Sequence, residues 1–312
     1  MNKLTGYIPQ YLDQKRKLTT KSRTTYAFVL NMFLSRVDKE IDELTHNDLS
    51  DFIARMEKDR SAKTTINLAV SAALGFYRWA AFERLWNGSI ADVEYVAEEQ
   101  KPPILTATPD YDRTVVAAIV EWASSYTQYK TILEKRDAFL ILAASSSGAR
   151  LGKELCELTR GQVDWERGRA IVIGKGNKEG KLLFSDIALD AGRAYLHARA
   201  EMDGKSGQSL ASLPLFARHH NATTKPLGYD GAYKSLKKRA VMLFDPEKAA
   251  AFHPHLLRHE FVTQILIETG NLKLAQELAR HTNIGTTQRY AHLAEEDQDR
   301  WHKEIFNRTP VR

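Results

Sequence analysis

Residues 253–292 read HPHLLRHEFVTQILIETGNLKLAQELARHTNIGTTQRYAH and concentrate reactive side chains in one short stretch. Five of these side chains could act on a phosphate ester: His255, Arg258, His259, His281 and Tyr290. A guanidinium group presents paired donors that match phosphate oxygens. A tyrosine phenol, whose pKa is ordinarily near 10, becomes a nucleophile only in a positive field or beside a base. The stretch therefore predicts chemistry at a phosphate ester.

The bulk composition indicates a globular protein with two domains. The chain has 312 residues, of which 43% are hydrophobic and 27% are charged. It contains no apolar run long enough for a membrane span, and its N-terminal residues do not resemble a secretory signal. Cys156 is the only cysteine, so no intrachain disulfide or thiolate metal cage can form. We therefore expect a cytoplasmic protein.

The charge distribution favours a polyanionic partner. The formal net charge is +6, and residues 1–37 contain seven Lys or Arg residues against one acidic residue, Asp13. A basic N-terminal region of this kind is typical of nucleic-acid binding, although a solvated basic surface explains the same charge.

The N-terminal third has the spacing of a small helical bundle. Apolar residues recur at helical intervals in 20–36, 47–58 and 62–82, with Thr20 or Ser22 placed to cap the first helix. The aromatic residues of the third segment fit core packing. Prolines in residues 97–110 indicate an extended linker. We therefore predict a helical domain at 1–96, a linker at 97–110 and a second domain at 111–312.

The second domain is predicted to be mainly helical with a small β-hairpin. Residues 111–126 and 135–146 have helical character, SSSGAR (145–150) places Arg150 after a glycine turn, and 151–159 resume helical spacing. Residues 169–173 and 181–184 are predicted strands joined by the tip GKGNKEG. The expected fold class is mainly α with a small β-hairpin or sheet.

The glycine-rich tip does not fit a nucleotide-binding loop. Lys181 is followed by Leu182 where a P-loop needs Ser or Thr, and the tip joins two strands instead of opening a helix. Lys175 and Lys178 at such a tip are placed to reach a backbone phosphate, although a solvated basic turn is the alternative.

A metal site built from His253, His255 and His259 is the main rival interpretation. His255 and His259 are four residues apart and could share a helix face, as zinc ligands do. The chain has no HExxH motif, however, and Arg258 lies between the histidines as a permanent cation. We therefore predict no metal and no other cofactor.

Four sequence boxes and a tyrosine resemble those of the tyrosine recombinase (phage integrase) family, and most of all its compact Xer-type members. SSGARLGKELCEL resembles the box that carries the first arginine, and VIGKGNKEG resembles the family's β-hairpin box. HPHLLRH resembles the HxxR box, and LARHTNIGTTQRYAHL resembles the final box with its nine-residue step from His281 to Tyr290. SRTTYAFVLNMFL resembles the family's core-binding domain, so the resemblance covers nearly the whole chain.

The resemblance implies a site-specific recombinase that cuts and rejoins DNA strands without a metal. Tyr290 would form a 3′-phosphotyrosyl intermediate, and strand exchange would pass through a Holliday junction. By the same resemblance, the transition-state charge would be stabilised by Arg150, Arg258 and His281. Lys175 would be the general acid, and His255 would be a proton acceptor or a second donor.

Two departures from the family pattern stand out. The family usually has three residues' spacing from the first arginine to an acidic residue, whereas Glu154 follows Arg150 by four, as if Lys153 were inserted. The extra residue turns a helix by about 100° unless it bulges, which puts the carboxylate's contact with Arg150 in question. Arg280 precedes His281 where the family most often has glycine. We expect its side chain to point to solvent, with a DNA contact as the alternative.

The resemblance also implies partners. It suggests a two-domain C-shaped clamp on double-stranded DNA with a specific recombination site, and a homo-tetramer on paired sites in the nucleoid. The expected DNA contacts are Lys21, Arg23, Lys63 and Lys178, with solvated side chains as the alternative. Trp301, Ile305 and Phe306 in the C-terminal tail have helical spacing and are expected to dock on a neighbouring subunit, with packing on their own domain as the alternative.

Two alternative functions fit the same residues. A type IB topoisomerase-like enzyme uses similar chemistry without a partner duplex, and supercoil relaxation with no sequence requirement would favour it. A non-catalytic DNA-binding protein could share the architecture, although the intact set of reactive residues argues against it. The biological outcome within recombination, whether integration, excision or resolution of DNA elements, is left open.

Overall fold

The chain forms two compact units, Met1–Thr106 and Ala107–Arg312. The computed structural model describes residues 3–16, 18–100, 111–173, 179–219, 224–281 and 284–290. Among the described residues, no helix combines the length and apolar character needed to cross a membrane.

The described residues of the first unit form a bundle of five α-helices. They are α1 (Tyr7–Gln14), α2 (Thr20–Leu34), α3 (His46–Lys58), α4 (Lys63–Phe82) and α5 (Ile90–Glu99). Short 3₁₀ turns lie at Lys3–Gly6 and Ile41–Glu43. The three helices expected from apolar spacing are confirmed as α2, α3 and α4.

Side-chain caps and buried rings hold this bundle together. The hydroxyl of Thr19, one residue before the predicted cap, accepts a hydrogen bond from the backbone N–H of Ser22 and starts α2. Phe76, Tyr77 and Trp79 of α4 are buried, as core packing predicts. Their burial leaves the bundle with a dense aromatic core.

The first residues of the predicted linker are helical. Residues 97–99 continue α5, whose start is capped by the Ser89 hydroxyl and whose Val93, Val96 and Ala97 are buried against the bundle. The apolar residues of α5 have helical spacing, but the proline-rich stretch that follows them obscures this pattern in the sequence. Residues 101–110, the rest of that segment, lie outside the described residues.

The second unit is built on helix α7, which is buried almost all round. Its helices are α6 (Arg113–Ser124), α7 (Ile132–Ser147), α8 (Asp186–Ala198), α9 (Ala200–Gly204), α10 (Gly228–Leu243), α11 (Pro246–Ala251), α12 (His255–Thr269), α13 (Leu272–Ala279) and α14 (Gly285–Gln288). Residues 138–144 of α7 are each at most 2% exposed, and α6, α8 and α12 pack around them. An apolar helix surrounded in this way forms the centre of the core.

A three-stranded antiparallel sheet lies beside this core. Its strands are β1 (Val163–Asp164), β2 (Arg169–Ile173) and β3 (Glu179–Leu183), in the order β1-β2-β3. Arg169 pairs with Leu183 and Ile173 pairs with Glu179. The predicted hairpin is confirmed, with β1 as an additional edge strand and β3 starting two residues earlier than expected.

Candidate active site

The ends of α7, α12, α13 and α14 bring the predicted site residues together. Arg150 follows α7, Arg258 lies on α12, His281 follows α13 and Tyr290 follows α14. They interact electrostatically. Arg150 and Tyr290 both affect the pKa of Arg258, and both arginines affect the pKa of His281. Residues that are far apart in sequence therefore form one cationic cluster, and Arg258 connects it to the tyrosine.

A glycine turn sets the position of Arg150. Gly148 ends α7 in the left-handed region with φ 57°, a conformation that glycine adopts without steric cost. A Cβ at this position would overlap the ring of Phe261 on α12. The turn therefore lets α7 and α12 approach closely while the chain reverses toward Arg150.

Arg258 ties the same turn to α12 and α13. Its side chain is buried, and its guanidinium donates to the carbonyl oxygens of Gly148 and Ala279. Burial, followed by the positive charge of Arg150, lowers the pKa of Arg258 to about 9. The group stays cationic at neutral pH and orients the two turns that carry Arg150 and His281.

The extra residue at Lys153 is absorbed by a π-helix. Residues Leu151–Cys156 form this element, whose wider turn accommodates one more residue than an α-helix. Glu154 accepts hydrogen bonds from the Arg150 backbone N–H at 2.9 Å and from its guanidinium at 2.5 Å. The contact between the acid and the first arginine, which the altered spacing put in question, is therefore present.

The expectation that Arg280 points to solvent is wrong. The residue adopts φ 56°, which accounts for a preference for glycine here, but its side chain is only 13% exposed. Its guanidinium donates to Glu154 Oε2 at 3.0 Å and to the carbonyl oxygens of Leu278 at 2.7 Å and Ser147 at 3.1 Å. The buried carboxylate of Glu154, 2% exposed, draws the cation inward because a buried charge needs a partner.

His281 is held in its neutral form beside the arginines. Its Nδ1 lies 2.8 Å from the hydroxyl of Thr287, which fixes the orientation of the ring. Burial, followed by the charges of Arg258 and Arg150, lowers the pKa of His281 to about 3. An anionic phosphate entering the cluster would reverse part of this shift, because it favours the charged imidazolium.

Tyr290 is buried and paired with His259, a histidine for which the sequence predicted no specific catalytic role. Its side chain is 3% exposed and lies in an apolar cluster with Val262 and Leu266 of α12. The phenol oxygen forms a hydrogen bond with Nδ1 of His259. The sequence signal for His259 was its position beside Arg258 and one helical turn from His255.

The pKa values of this pair favour two neutral groups. Burial raises the pKa of Tyr290 to about 12, against the opposing effect of Arg258. Burial, followed by His255 and His253, lowers the pKa of His259 to about 4. The neutral imidazole can therefore accept the phenolic proton.

His255 lies at the rim of the cluster. Its ring centroid is 4.7 Å from that of His259, and the residue is exposed. Desolvation by the surrounding protein, followed by the charge of Arg258, nonetheless lowers the pKa of His255. Within the described part of the chain, no group of three His, Cys, Asp or Glu residues is arranged to hold a metal ion.

The predicted DNA contacts are distributed over both units. In the first unit Lys21 and Lys63 are exposed, whereas Arg23 pairs with Asp13 at 3.4 Å. Lys175 and Lys178, the predicted general acid and hairpin contact, lie outside the described residues, as does the C-terminal tail from residue 291.

Sequence comparison identifies the family of this fold and site. The profile described as the Phage integrase family matches residues 113–297, and the profile of the Phage integrase N-terminal SAM-like domain matches residues 9–86. The chain belongs to the phage integrase family. The resemblance to tyrosine recombinases, enzymes that exchange DNA strands through a tyrosine, is thereby confirmed, and the two alternative functions are not favoured.

Xer recombinases are among its relatives. The chain is 29% identical to tyrosine recombinase XerC of Treponema denticola over 301 residues, 93% of each chain. It is 31% identical to XerC of Xylella fastidiosa over 259 residues, which cover 81% of this chain and 78% of the relative.

Solved structures show the same fold at lower sequence identity. XerH bound to a palindromic difH substrate, a post-cleavage complex, matches with TM-score 0.68 and 16% identity over 97% of this chain and 85% of that one. The Tn1549 transposon integrase in complex with transposon right end DNA matches with TM-score 0.66 and 18% identity over 98% and 99% of the two chains.

Proposed function

We propose that the protein is a site-specific DNA recombinase that integrates, excises or resolves DNA elements through a covalent bond to Tyr290. The observation that carries this proposal is the cluster of Arg150, Arg258 and His281, in which Arg258 interacts with the buried phenol of Tyr290. Membership of the phage integrase family and the similarity to XerC proteins support it.

The first chemical step transfers a phosphoryl group from DNA to the protein. Oη of Tyr290 attacks the scissile phosphorus, the bond from phosphorus to the 5′ oxygen breaks, and a 3′-phosphotyrosyl link forms. Arg150, Arg258 and His281 stabilise the charge of the transition state, and a preorganised donor of this kind contributes about 3 kcal/mol. Lys175 is the proposed proton donor to the leaving 5′ oxygen.

The second step uses a 5′ hydroxyl from the partner duplex. That hydroxyl attacks the phosphotyrosyl link, a new phosphodiester forms, and the phenol is restored. Two such rounds form and resolve a Holliday junction. The reaction needs no nucleotide energy source, because each bond broken is replaced by a bond of similar energy.

The phenolic proton goes to His259 in this proposal, a role that the sequence alone suggested for His255. The reason is contact: His259 Nδ1 is hydrogen-bonded to the phenol, whereas His255 touches the His259 ring from the rim. Because Tyr290 is 3% exposed, its side chain must become accessible when the scissile phosphate binds.

We assign DNA contacts to both units and expect a homo-tetramer on paired sites. Lys21 and Lys63 are exposed cations of the helical domain at 1–96, and Lys178 and Arg23 complete the proposed set. Each phosphate neutralised contributes about −0.9 to the slope of log affinity against log salt. DNA binding should therefore weaken steeply as the salt concentration rises. We also expect the protein to be cytoplasmic and associated with the nucleoid.

The C-terminal tail is the proposed contact between neighbouring subunits. Its apolar residues have helical spacing, and α6 and α12 of the second unit line an open, mostly apolar groove that includes Val116, Phe261 and Ile265. Removal of residues 298–312 should impair synapsis and cleavage more than binding to a single site. Equal losses in all three measurements would argue against this contact.

The substitution Tyr290→Phe tests the proposed chemistry. The variant should bind its recombination site but form no covalent complex with a nicked suicide substrate, since only the phenolic oxygen is removed. Tyr95→Phe, a tyrosine 66% exposed on the helical unit, is the matched control and should cleave normally. A covalent complex formed by the Tyr290→Phe variant would overturn the assignment.

A further inference from the structure

One buried carboxylate is shared by two arginines in this protein. Glu154 Oε1 accepts from Arg150 at 2.5 Å, and Oε2 accepts from Arg280 at 3.0 Å. Burial opposes ionisation of Glu154, but the Arg150 backbone N–H and the charges of Arg280 and Arg150 outweigh it and lower the pKa of the carboxyl group. Glu154 is therefore an anion held between two cations.

This sharing changes the charge that Arg150 presents. A carboxylate paired with one arginine neutralises it, whereas a carboxylate shared by two leaves one net positive charge. Arg150 is 38% exposed, while Arg280 and Glu154 are 13% and 2% exposed. The excess positive charge is thus presented at the more exposed guanidinium, that of Arg150.

Arg280 anchors the carboxylate to three further segments. It donates to the carbonyl oxygens of Ser147 at the end of α7, Leu278 in α13 and Lys181 in β3, the last at 3.3 Å. Strand β3 leaves room for it, because a Cβ on Gly180 would lie 2.8 Å from Arg280 Cδ. The side chain therefore links the segment that carries Arg150 to the sheet and to the turn before His281.

The chain accepts two local costs to hold this arginine. Arg280 has φ 56°, in the left-handed region that disfavours side chains, and its Nε is buried without a hydrogen-bond partner among the described residues. Such costs persist where the surrounding structure enforces them, often at functional sites.

We propose that Arg280 is a positioning residue that acts through Glu154 to hold the Arg150 guanidinium against the scissile phosphate. It compensates for the extra residue at Lys153, which moves Glu154 onto a π-helix. This inference rests on the proposed recombinase function.

The experiment compares Arg280→Gly and Arg280→Lys in the full-length protein. Glycine suits the backbone conformation of residue 280 but removes the anchor, so cleavage of a nicked suicide substrate should fall roughly 10- to 100-fold, the loss typical of a small misplacement. Lysine keeps the charge and should restore part of the rate. Arg84→Gly is the control, because Arg84 is an exposed arginine with φ 59° in the other unit, and it should leave cleavage unchanged.

A neutral phosphate analogue separates positioning of Arg150 from a general structural effect. A methylphosphonate at the scissile position removes the charge that Arg150 would stabilise, so Arg280→Gly and Arg150→Ala should both show smaller defects on it than on the phosphodiester. Adding Arg280→Gly to the Glu154→Gln variant should lower the cleavage rate by a smaller factor than Arg280→Gly does in the wild type. The reason is that the link through Glu154 is already lost.

The outcomes are distinct. Normal cleavage by Arg280→Gly, or the same defect on both substrates, overturns the role of Arg280. If wild type forms no phosphotyrosyl complex, the proposed function fails and this inference fails with it. If Arg280→Gly does not fold, as judged by lost DNA binding, the Glu154→Gln variant decides: a normal rate on the phosphodiester overturns the proposal.

Discussion

The phenol of Tyr290 is hydrogen-bonded to Nδ1 of His259, and both groups are neutral in the free protein. Burial raises the pKa of Tyr290 to about 12 and lowers that of His259 to about 4. A neutral imidazole in contact with a neutral phenol is a proton acceptor, and Arg258 provides the positive field that favours the phenolate as it forms.

His259→Gln should slow formation of the covalent complex by about 10²-fold or more, because glutamine can hydrogen-bond to the phenol but cannot take its proton. Hydroxide must then remove that proton, so the rate of the variant should rise with pH more steeply than the wild-type rate. Single-turnover cleavage measured from about pH 7 to pH 10 checks both effects. His255→Gln, at the exposed rim, is the control and should lose less activity. A wild-type pH profile for His259→Gln would contradict the assignment.

The same histidine should make stability depend on pH. An unfolded histidine takes up a proton near pH 6.5, whereas folded His259 does so only near its lowered pKa of about 4. Between these values the unfolded state binds more protons, so the free energy of unfolding falls as the pH is lowered through this window. His259→Gln removes this contribution and should show a shallower loss in urea denaturation. Parallel losses for wild type and variant would count against the shifted pKa.

Much of the fold could be predicted from local sequence patterns. The α2, α3 and α4 helices have regular apolar spacing, and β2 ends in three β-branched residues that precede the glycine-rich sequence GKGNKEG. These patterns depend only on residues that are close in the sequence, so they can be recognised without a structure. Helix α5 was not predicted, because the proline-rich segment beside it dominated the pattern.

The connections inside the candidate site could not be predicted in this way. Arg280 and Glu154 are separated by 126 positions, and only the tertiary fold brings their charges together. The residue count between Arg150 and Glu154 predicts a rotated carboxylate in an α-helix, whereas a π-helix restores the contact. Contact between His259 and Tyr290 likewise depends on how α12 and α14 pack, which sequence spacing does not encode.

The two predicted catalytic arginines should differ in their effect on stability. Arg258→Ala leaves the buried carbonyl oxygens of Gly148 and Ala279 without their donor, at a cost of about 1–3 kcal/mol each. Arg150→Ala removes a partly exposed side chain, and Glu154 keeps Arg280 as its partner. Both variants should lose cleavage, but urea denaturation should show the larger loss of stability for Arg258→Ala. An equal or greater loss for Arg150→Ala would contradict this division.

Gly148, in the turn before Arg150, should tolerate substitution far less well than Gly152, which follows Arg150. Alanine at Gly148 faces a left-handed conformation, which costs about 1–2 kcal/mol, and its methyl group overlaps the Phe261 ring. Gly148→Ala should therefore lower both the stability and the cleavage rate, because Phe261 lies on the helix that carries Arg258. Gly152→Ala is the matched control: its added Cβ would meet Tyr229 at 3.6 Å, an ordinary contact. Thermal denaturation together with suicide-substrate cleavage distinguishes the two, and comparable losses in both variants would show that the turn does not set the position of Arg150.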